Sequence, residues 1–166
     1  ERVLYLFEQR GFDVRNARAV VTDIDRLDVH EARRKLEALA DMSGSGALQG
    51  VASLFRRVKN ITKGVLAPPV DEFREAVTIL GEPAEQALLA ELDARAPVIR
   101  GASQRGDYTG AFAAIAALQP AVATFFDDVL VVAEDERLRA ARLGLVATLR
   151  DLILEIADIS EIVTES

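Results

Sequence analysis

The residues of this sequence that are best suited to chemistry lie between positions 56 and 63. On a helical wheel, Lys59, Asn60 and Lys63 fall within about 60° of Arg56, and Arg57 flanks them. Lysine and arginine on such a face can hold phosphate groups, and asparagine can hydrogen-bond a base edge or a sugar hydroxyl. The pattern favours a nucleic-acid-binding helix, with a solvated surface helix as the alternative. The opposite side is apolar and carries Val51, Leu54, Val58 and Ile61.

The distribution of charge supports a local binding site more than the total charge does. The net charge of -7 is opposite in sign to that of a typical nucleic-acid-binding protein. The chain nevertheless has no acidic residue from Met42 to Val70, and none from Ala94 to Gly106, where Arg95, Arg100 and Arg105 stand. An acidic protein with two such basic segments can still bind a phosphate backbone locally.

Arg142 stands out because it lies within an apolar stripe. A buried arginine needs a partner, since an unpaired charge is costly away from water. Asp127 and Asp128 precede it on the neighbouring helix, and antiparallel neighbours would bring them close. We therefore predict a structural ion pair between Arg142 and Asp127 or Asp128. The stripe itself consists of Leu138, Leu145, Leu149, Leu152, Ile153 and Ile156.

The remaining polar residues show no catalytic or metal-binding pattern. The chain has no cysteine and a single histidine, His30, which we place at the surface. The acidic residues lack metal-ligand spacing, and no glycine-rich phosphate loop is present. We expect no catalytic residue and no metal site. Tyr108 and Phe112 share a helical face with Ile115 and are predicted to be core, with base stacking by Tyr108 as the alternative.

The elements that must position these residues are predicted to be helices throughout. In the first half, Asp13 caps one helix, Asp28 with Glu31 forms a capping box for the next, and a basic helix covers 47–63. In the second half we predict helices over 71–80, 83–104, from Asp107, from Pro120 and over 134–157. The apolar segment 129–133 is interpreted as a helix end. We expect the last three helices to pack as a compact bundle.

These elements define an all-α protein of two parts. Residues 1–64 are predicted to form an N-terminal helical layer that includes the basic helix, and residues 65–166 a helical bundle. We expect no apolar run of the roughly 18 residues that cross a bilayer, and hence no membrane partner. The absence of cysteine is typical of a cytoplasmic protein.

An ordered series of short motifs in the last third of the chain resembles a known family. Leu118-Gln119-Pro120 leads into the segment from Phe125 to Val131, then Arg142-Leu143, and finally the segment from Ile156 to Ser160. This series resembles the carboxy-terminal anticodon-binding helical domain, of DALR type, of bacterial glycyl-tRNA synthetase beta subunits. The segment from Phe55 to Ile61 is similar to the basic helix that precedes this domain. Ala141 departs from the family pattern, which usually has asparagine before the arginine-leucine pair.

The resemblance implies a division of labour in a larger enzyme. In that family the alpha subunit makes glycyl-adenylate from glycine and ATP, and the beta subunit recognises tRNA(Gly). This chain would then be a non-catalytic, tRNA-binding part of a glycine-tRNA ligase, with the alpha subunit as partner and with ATP and magnesium used by the assembled enzyme. Its RNA contacts would come from Arg56, Arg57, Lys59, Asn60 and Lys63.

Two alternatives remain open from the sequence. The anticodon-binding domain of arginyl-tRNA synthetase is related, although its tyrosine, alanine and histidine cluster and its terminal methionine are missing here. A helical protein-protein interaction module without RNA contact would also fit the acidic total and the alanine-rich composition.

Overall fold

A computed structural model describes residues 1–43 and 45–164 of the chain. Within these residues there are nine α-helices, no β-strand and three short 3-10 segments. The all-α prediction is confirmed. The helices are α1 (Arg2–Gln9), α2 (Val14–Val20), α3 (Val29–Met42), α4 (Ala47–Ile61), α5 (Val70–Ala76), α6 (Pro83–Gln104), α7 (Tyr108–Ala116), α8 (Gln119–Asp128) and α9 (Glu136–Leu154), and a C-terminal turn spans Ile159–Ile162.

Several helix starts follow from local hydrogen bonding. Asp13, Asp28 and Asp107 each accept a backbone N–H of the first turn, at 2.8, 2.9 and 2.9 Å. Such caps satisfy donors that have no partner inside the helix. The capping box predicted from Asp28 and Glu31 forms only at Asp28. The Glu31 carboxylate does not complete it and instead accepts a hydrogen bond from the Tyr108 hydroxyl at 2.9 Å.

The centre of the bundle consists of α4 and α6. Both helices pack against α7, α8 and α9, and α3 packs on α7 from outside. The expectation that the last three helices bundle with one another therefore needs correction. Over the described residues, α8 and α9 are joined mainly through α4 and α6, so these two helices are neighbours in sequence but not each other's main neighbours in space.

The link between α8 and α9 is extended, and its interpretation as a helix end is wrong. Val129 has backbone angles of φ -116° and ψ 126°, and α8 stops at Asp128. Val129, Val131 and Ala133 are buried, whereas Leu130 and Val132 are 71% and 56% exposed. This alternation is that of an extended chain, in which successive side chains point to opposite sides. The carbonyl of Leu130 thereby becomes available to α9.

One stretch, Tyr108–Asp128, is long and apolar enough by composition to cross a membrane, with a mean hydropathy of 1.5 over its best window. The expectation that no run reaches that length is thus corrected. In the fold the stretch is broken into α7 and α8 by a turn at 117–118. Phe112, Ile115, Leu118 and Phe125 within it are each 0% exposed. Their burial identifies the stretch as two core helices of the bundle.

Candidate nucleic-acid interface

The basic helix α4 is amphipathic, and the fold buries its apolar side. Val51 and Val58 are 1% exposed, and Leu54 and Ile61 are partly buried against the same core. The apolar side predicted from the wheel is confirmed. Further apolar residues extend it beyond that prediction, namely Leu48, Ala52 and Phe55. Because this side faces the bundle, the polar side of α4 faces outward.

The carboxyl end of α4 is held against α9. The Thr62 hydroxyl donates to the Val58 carbonyl at 2.7 Å, and Arg150 of α9 donates to the carbonyls of Thr62 and Val65 at 2.9 and 2.8 Å. Gly64, at φ +77°, provides the left-handed turn that takes the chain away from the helix. A cation at this position also opposes the negative end of the helix dipole. The helix therefore ends before Lys63 and is rigidly placed.

Lys59 differs from the other predicted RNA contacts because it already has a carboxylate partner. Its ammonium donates to Asp158 at 2.6 Å and to the Ser160 hydroxyl at 3.2 Å. The side chains of Lys59 and Asp158 are 35% and 13% exposed. The charge of Lys59 is thus largely neutralised by a residue 99 positions away, and the lysine fastens the C-terminal turn to α4.

The C-terminal turn covers one edge of the polar side of α4. Gln49 donates to the Ile162 carbonyl at 2.9 Å, and Arg56 lies 3.5 Å from the Ser160 carbonyl, at the limit for a hydrogen bond. Asp158 also donates its backbone N–H to the Ala19 carbonyl of α2 at 2.8 Å. The part of the polar side that stays open is therefore the side away from this turn.

Four of the predicted contacts remain exposed, namely Arg56, Arg57, Asn60 and Lys63. Of these, Arg56 lies next to the C-terminal turn. Over the residues that the structure describes, no carboxylate lies within ion-pairing distance of Arg56, Arg57 or Lys63. The guanidinium of Arg57 lies over the ring of Phe126, 4.4 Å from its centroid. The fold thus brings these four residues together, with three positive charges that no described carboxylate neutralises.

The second basic segment does not form a comparable surface. Arg95 pairs with Glu91 at 3.1 Å, and Arg100 pairs with Glu155 at 3.0 Å. Only Arg105 of the three has no ion-pair partner in the described part of the chain. Glu155 comes from the far end of the sequence, so an acid-free run in sequence is not an acid-free surface in the fold.

Arg142 is buried and paired as predicted, but with a different carboxylate. Its Nε donates to Glu85 of α6, and its Nη1 donates to the Leu130 carbonyl at 2.8 Å. Asp127 and Asp128 are exposed and make no ion pair with the residues described. The prediction of Asp127 or Asp128 as the partner is therefore wrong. The physical reason is that α6 packs on both α8 and α9, so α6 supplies the carboxylate.

Glu85 was missed because its sequence context indicates a helix cap rather than an ion pair. The residue is 0% exposed, and its second carboxylate oxygen accepts the Glu82 backbone N–H at 2.9 Å. Glu82 and Glu85 form a capping box at the start of α6, with Pro83 in the first turn. A glutamate three residues after a helix start is the sequence signal for such a box. One carboxylate thus caps α6 and holds Arg142.

Tyr108 belongs to the core and cannot serve as a stacking platform. It is 6% exposed, and Arg34 and Lys35 lie 5.7 and 5.4 Å from its ring centroid. Burial, followed by its hydrogen bond to Glu31, raises the pKa of Tyr108 to about 12. The core prediction is confirmed, and His30, on the same helix as Glu31, is exposed as predicted.

With this geometry in place, a comparison of the chain with protein-family models is decisive. The model described as the DALR anticodon binding domain matches residues 51–164. The chain belongs to the DALR anticodon-binding family. The matched residues include 51–61 of the basic helix α4. The division of the chain at residue 64 into two folding parts stays a prediction.

Several relatives of this DALR domain are named glycine-tRNA ligase beta subunit. The relative from Anaeromyxobacter dehalogenans is 41% identical over 139 residues, which cover 84% of this chain and 20% of the relative. Those from Janthinobacterium sp. and Acidobacterium capsulatum are 37% and 36% identical, over 98% and 96% of this chain and 23% of each relative. The chain therefore spans about a fifth of the length of these relatives.

An apolar groove of about 590 Å³ lies on another side of the DALR domain, between the segment after α4, α5 and α9. Leu66 at its edge is 89% exposed, and Glu72, Glu75 and Arg137 add charge to the lining. The apolar lining includes Val65, Pro68, Ile79 and Leu143.

Across the described residues, no group of three His, Cys, Asp or Glu side chains is placed to hold a metal ion.

Proposed function

We propose that this domain binds tRNA(Gly) as the anticodon-recognition part of a glycyl-tRNA synthetase beta subunit. One observation carries the proposal: the match to the anticodon-binding family starts within α4, whose polar side exposes Arg56, Arg57 and Asn60, with Lys63 exposed in the turn that follows. Exposed cations with no nearby carboxylate are suited to phosphate groups, because binding releases counterions without breaking an existing ion pair. Relatives named glycine-tRNA ligase beta subunit support the choice of glycine.

The residues of α4 have separate roles in this proposal. Arg56 and Lys63 contact phosphates and position the RNA, and Asn60 lies between them with its side chain free of hydrogen bonds to the described residues. Lys59, which the sequence also predicts as an RNA contact, acts indirectly by holding the C-terminal turn through Asp158. The salt dependence of binding should accordingly depend on Arg56 and Lys63 more than on Lys59.

The chemistry of the parent enzyme takes place outside this chain in our proposal. The alpha subunit activates glycine with ATP and magnesium, and the beta subunit supplies tRNA in the cytoplasm. This domain contributes binding energy and orientation to the transfer of glycine. Holding the anticodon end of the tRNA in one geometry favours correct placement of the acceptor end at a distant catalytic site.

The test is a tRNA titration with a charge-matched control. Replacing Arg56 and Lys63 together with alanine should reduce the slope of log affinity against log salt by about 1.4 to 1.8, at 0.7 to 0.9 per lost phosphate contact. The control variant replaces Arg18 and Arg26, exposed cations outside α4, with alanine, which removes the same charge. An equal effect of both variants, or an unchanged slope in the first, would reject the proposed face.

A protein-docking function is the rival, and the groove beside Leu66 is the observation that favours it. Docking through apolar contacts depends weakly on salt, whereas binding to a phosphate backbone weakens steeply as salt rises. The same titration therefore separates the two functions. Competition between tRNA(Gly) and tRNA(Arg) separates the glycyl from the arginyl assignment, and we expect tRNA(Gly) to win.

A further inference from the structure

Arg57 is arranged differently from the other cations of α4. Its guanidinium lies over the Phe126 ring at 4.4 Å from the centroid, while Arg57 itself is exposed and Phe126 is 6% exposed. A guanidinium stacks favourably on an aromatic face, and its planar group has a second face on the opposite side. The ring thus holds one side of Arg57 from within the protein, and the other side is open to solvent.

The position of Arg57 also differs from that of the phosphate-binding pair. Arg56 lies within α4 and Lys63 in the turn that follows it. Arg57 is rotated by about 100° from Arg56 around the helix axis. Asn60 stands three residues after Arg57, a spacing that makes two residues neighbours on a helix surface. Asn60 is exposed and is therefore a neighbour of Arg57 on the surface of α4.

We propose that Arg57 is a stacking platform for one unpaired base of the bound RNA, and that Asn60 hydrogen-bonds the edge of that base. Unpaired bases stack on aromatic rings and on guanidinium planes, and their edges are then open to amide groups. The inference rests on the proposed function, because it names the part of the RNA that meets this site.

The contact with Phe126 prepares Arg57 for stacking. It holds one face of the guanidinium against a buried ring. This contact restricts the Arg57 side chain before binding, which lowers the entropy lost on stacking.

The C-terminal turn limits the approach to this site. On the wheel, Lys59 and Arg57 lie on opposite sides of Asn60, and the Lys59 side is occupied by Asp158 and Ser160. In the proposed complex the base therefore approaches Asn60 from the side of Arg57, where it stacks on the guanidinium.

The first test compares two lysine substitutions that keep the charge. Arg57→Lys removes the planar group, and Arg18→Lys is the matched control at an exposed position of α2. In titrations of the full chain with a tRNA(Gly) transcript, we expect Arg57→Lys to weaken binding by about tenfold with an unchanged salt slope, because stacking contributes about 1–3 kcal/mol per base. Arg18→Lys should change affinity by less than about twofold, because Arg18 lies outside the basic helix.

The second test alters the RNA instead of the protein. Transcripts that lack the base at one anticodon-loop position at a time are titrated with the wild-type chain and with Arg57→Lys. Removal of the base at one position should weaken binding by the wild-type chain about tenfold, as Arg57→Lys does with the intact transcript. The Arg57→Lys variant should then bind this abasic transcript as well as the wild-type chain does. Such non-additivity is expected only if the base and the side chain contact each other.

The results separate this inference from the proposed function. If the variant lacking Arg56 and Lys63 shows the reduced salt slope but Arg57→Lys binds like Arg18→Lys, the platform is rejected and the RNA-binding face stands. If the losses of binding free energy caused by Arg57→Lys and by each abasic position are additive, the platform is likewise rejected. If the wild-type chain does not bind tRNA, both proposals fail.

Discussion

Arg142 of α9 donates its Nε to the carboxylate of Glu85 on α6, and both side chains are withdrawn from water, at 9% and 0% exposed. The same arginine holds the Leu130 carbonyl at 2.8 Å, and the same glutamate accepts the backbone N–H of Glu82 at 2.9 Å. One ion pair therefore connects two helices, the start of α6 and the extended link before α9. Its loss should affect the fold as a whole.

The first prediction concerns this pair. Arg142→Ala should lower the free energy of unfolding by about 3 to 5 kcal/mol, because Glu85 would stay buried without a partner. Arg142→Ala combined with Glu85→Ala should cost less than the sum of the single changes. Chemical denaturation measures all three variants.

The matched control for this pair is Asp127→Asn together with Asp128→Asn, which should change stability by less than about 0.5 kcal/mol because both residues are exposed. Strong destabilisation by the control, or simple additivity of the Arg142 and Glu85 changes, would contradict the assignment of Glu85 as the partner.

The second prediction separates two lysines that the sequence places on one face. Lys59→Ala should destabilise the chain by about 1 kcal/mol, because Asp158 loses a partner in a half-buried setting. Lys63→Ala should be within about 0.5 kcal/mol of wild type, since Lys63 is exposed and no described carboxylate pairs with it. Thermal or urea unfolding provides the comparison, and equal effects of the two changes would count against the role of Lys59 in holding the C-terminal turn.

The third prediction follows from the raised pKa of Tyr108. Because this pKa rises from 10.0 to about 12 in the fold, the folded chain holds the phenol proton more tightly than the unfolded chain. The associated stability is present in full below about pH 10 and is lost as the pH rises toward 12.

Unfolding measured between pH 9 and 12 tests this pH dependence. Tyr108→Phe should remove this part of the loss of stability at alkaline pH. Tyr5→Phe, at a position that is 60% exposed, should not. Parallel curves of stability against pH for wild type and Tyr108→Phe would show that the buried phenol does not cause the loss of stability.

The fourth prediction is that the chain alone neither activates glycine nor charges tRNA. Its sequence has no phosphate-binding loop, and the described residues offer no grouped metal ligands. Pyrophosphate exchange with glycine and ATP should stay at background for the purified chain and should be robust for a complete alpha-beta enzyme in the same assay. Exchange above background with the chain alone would place catalytic residues within it.

The sequence by itself was sufficient to determine the all-α class, most helix starts and the outward side of α4. Asp13, Asp28 and Asp107 cap helices through bonds that span two or three residues, and the apolar side of α4 repeats every three or four residues. Such features depend on local geometry, which a linear pattern contains. The ordered motifs of the last third were likewise enough to suggest the family that the match over 51–164 shows.

Only the tertiary structure decided which charges meet. Glu85 is 57 positions from Arg142, and Asp158 is 99 positions from Lys59. Asp127 and Asp128 were the nearer carboxylates in sequence, yet α4 and α6 stand between α8 and α9 as their shared neighbours. Ion pairs of this kind depend on helix packing rather than on helix formation. An acid-free run of sequence therefore becomes a cationic surface only where the packing brings no carboxylate to it, as at Arg56, Arg57 and Lys63 but not at Lys59 or Arg100.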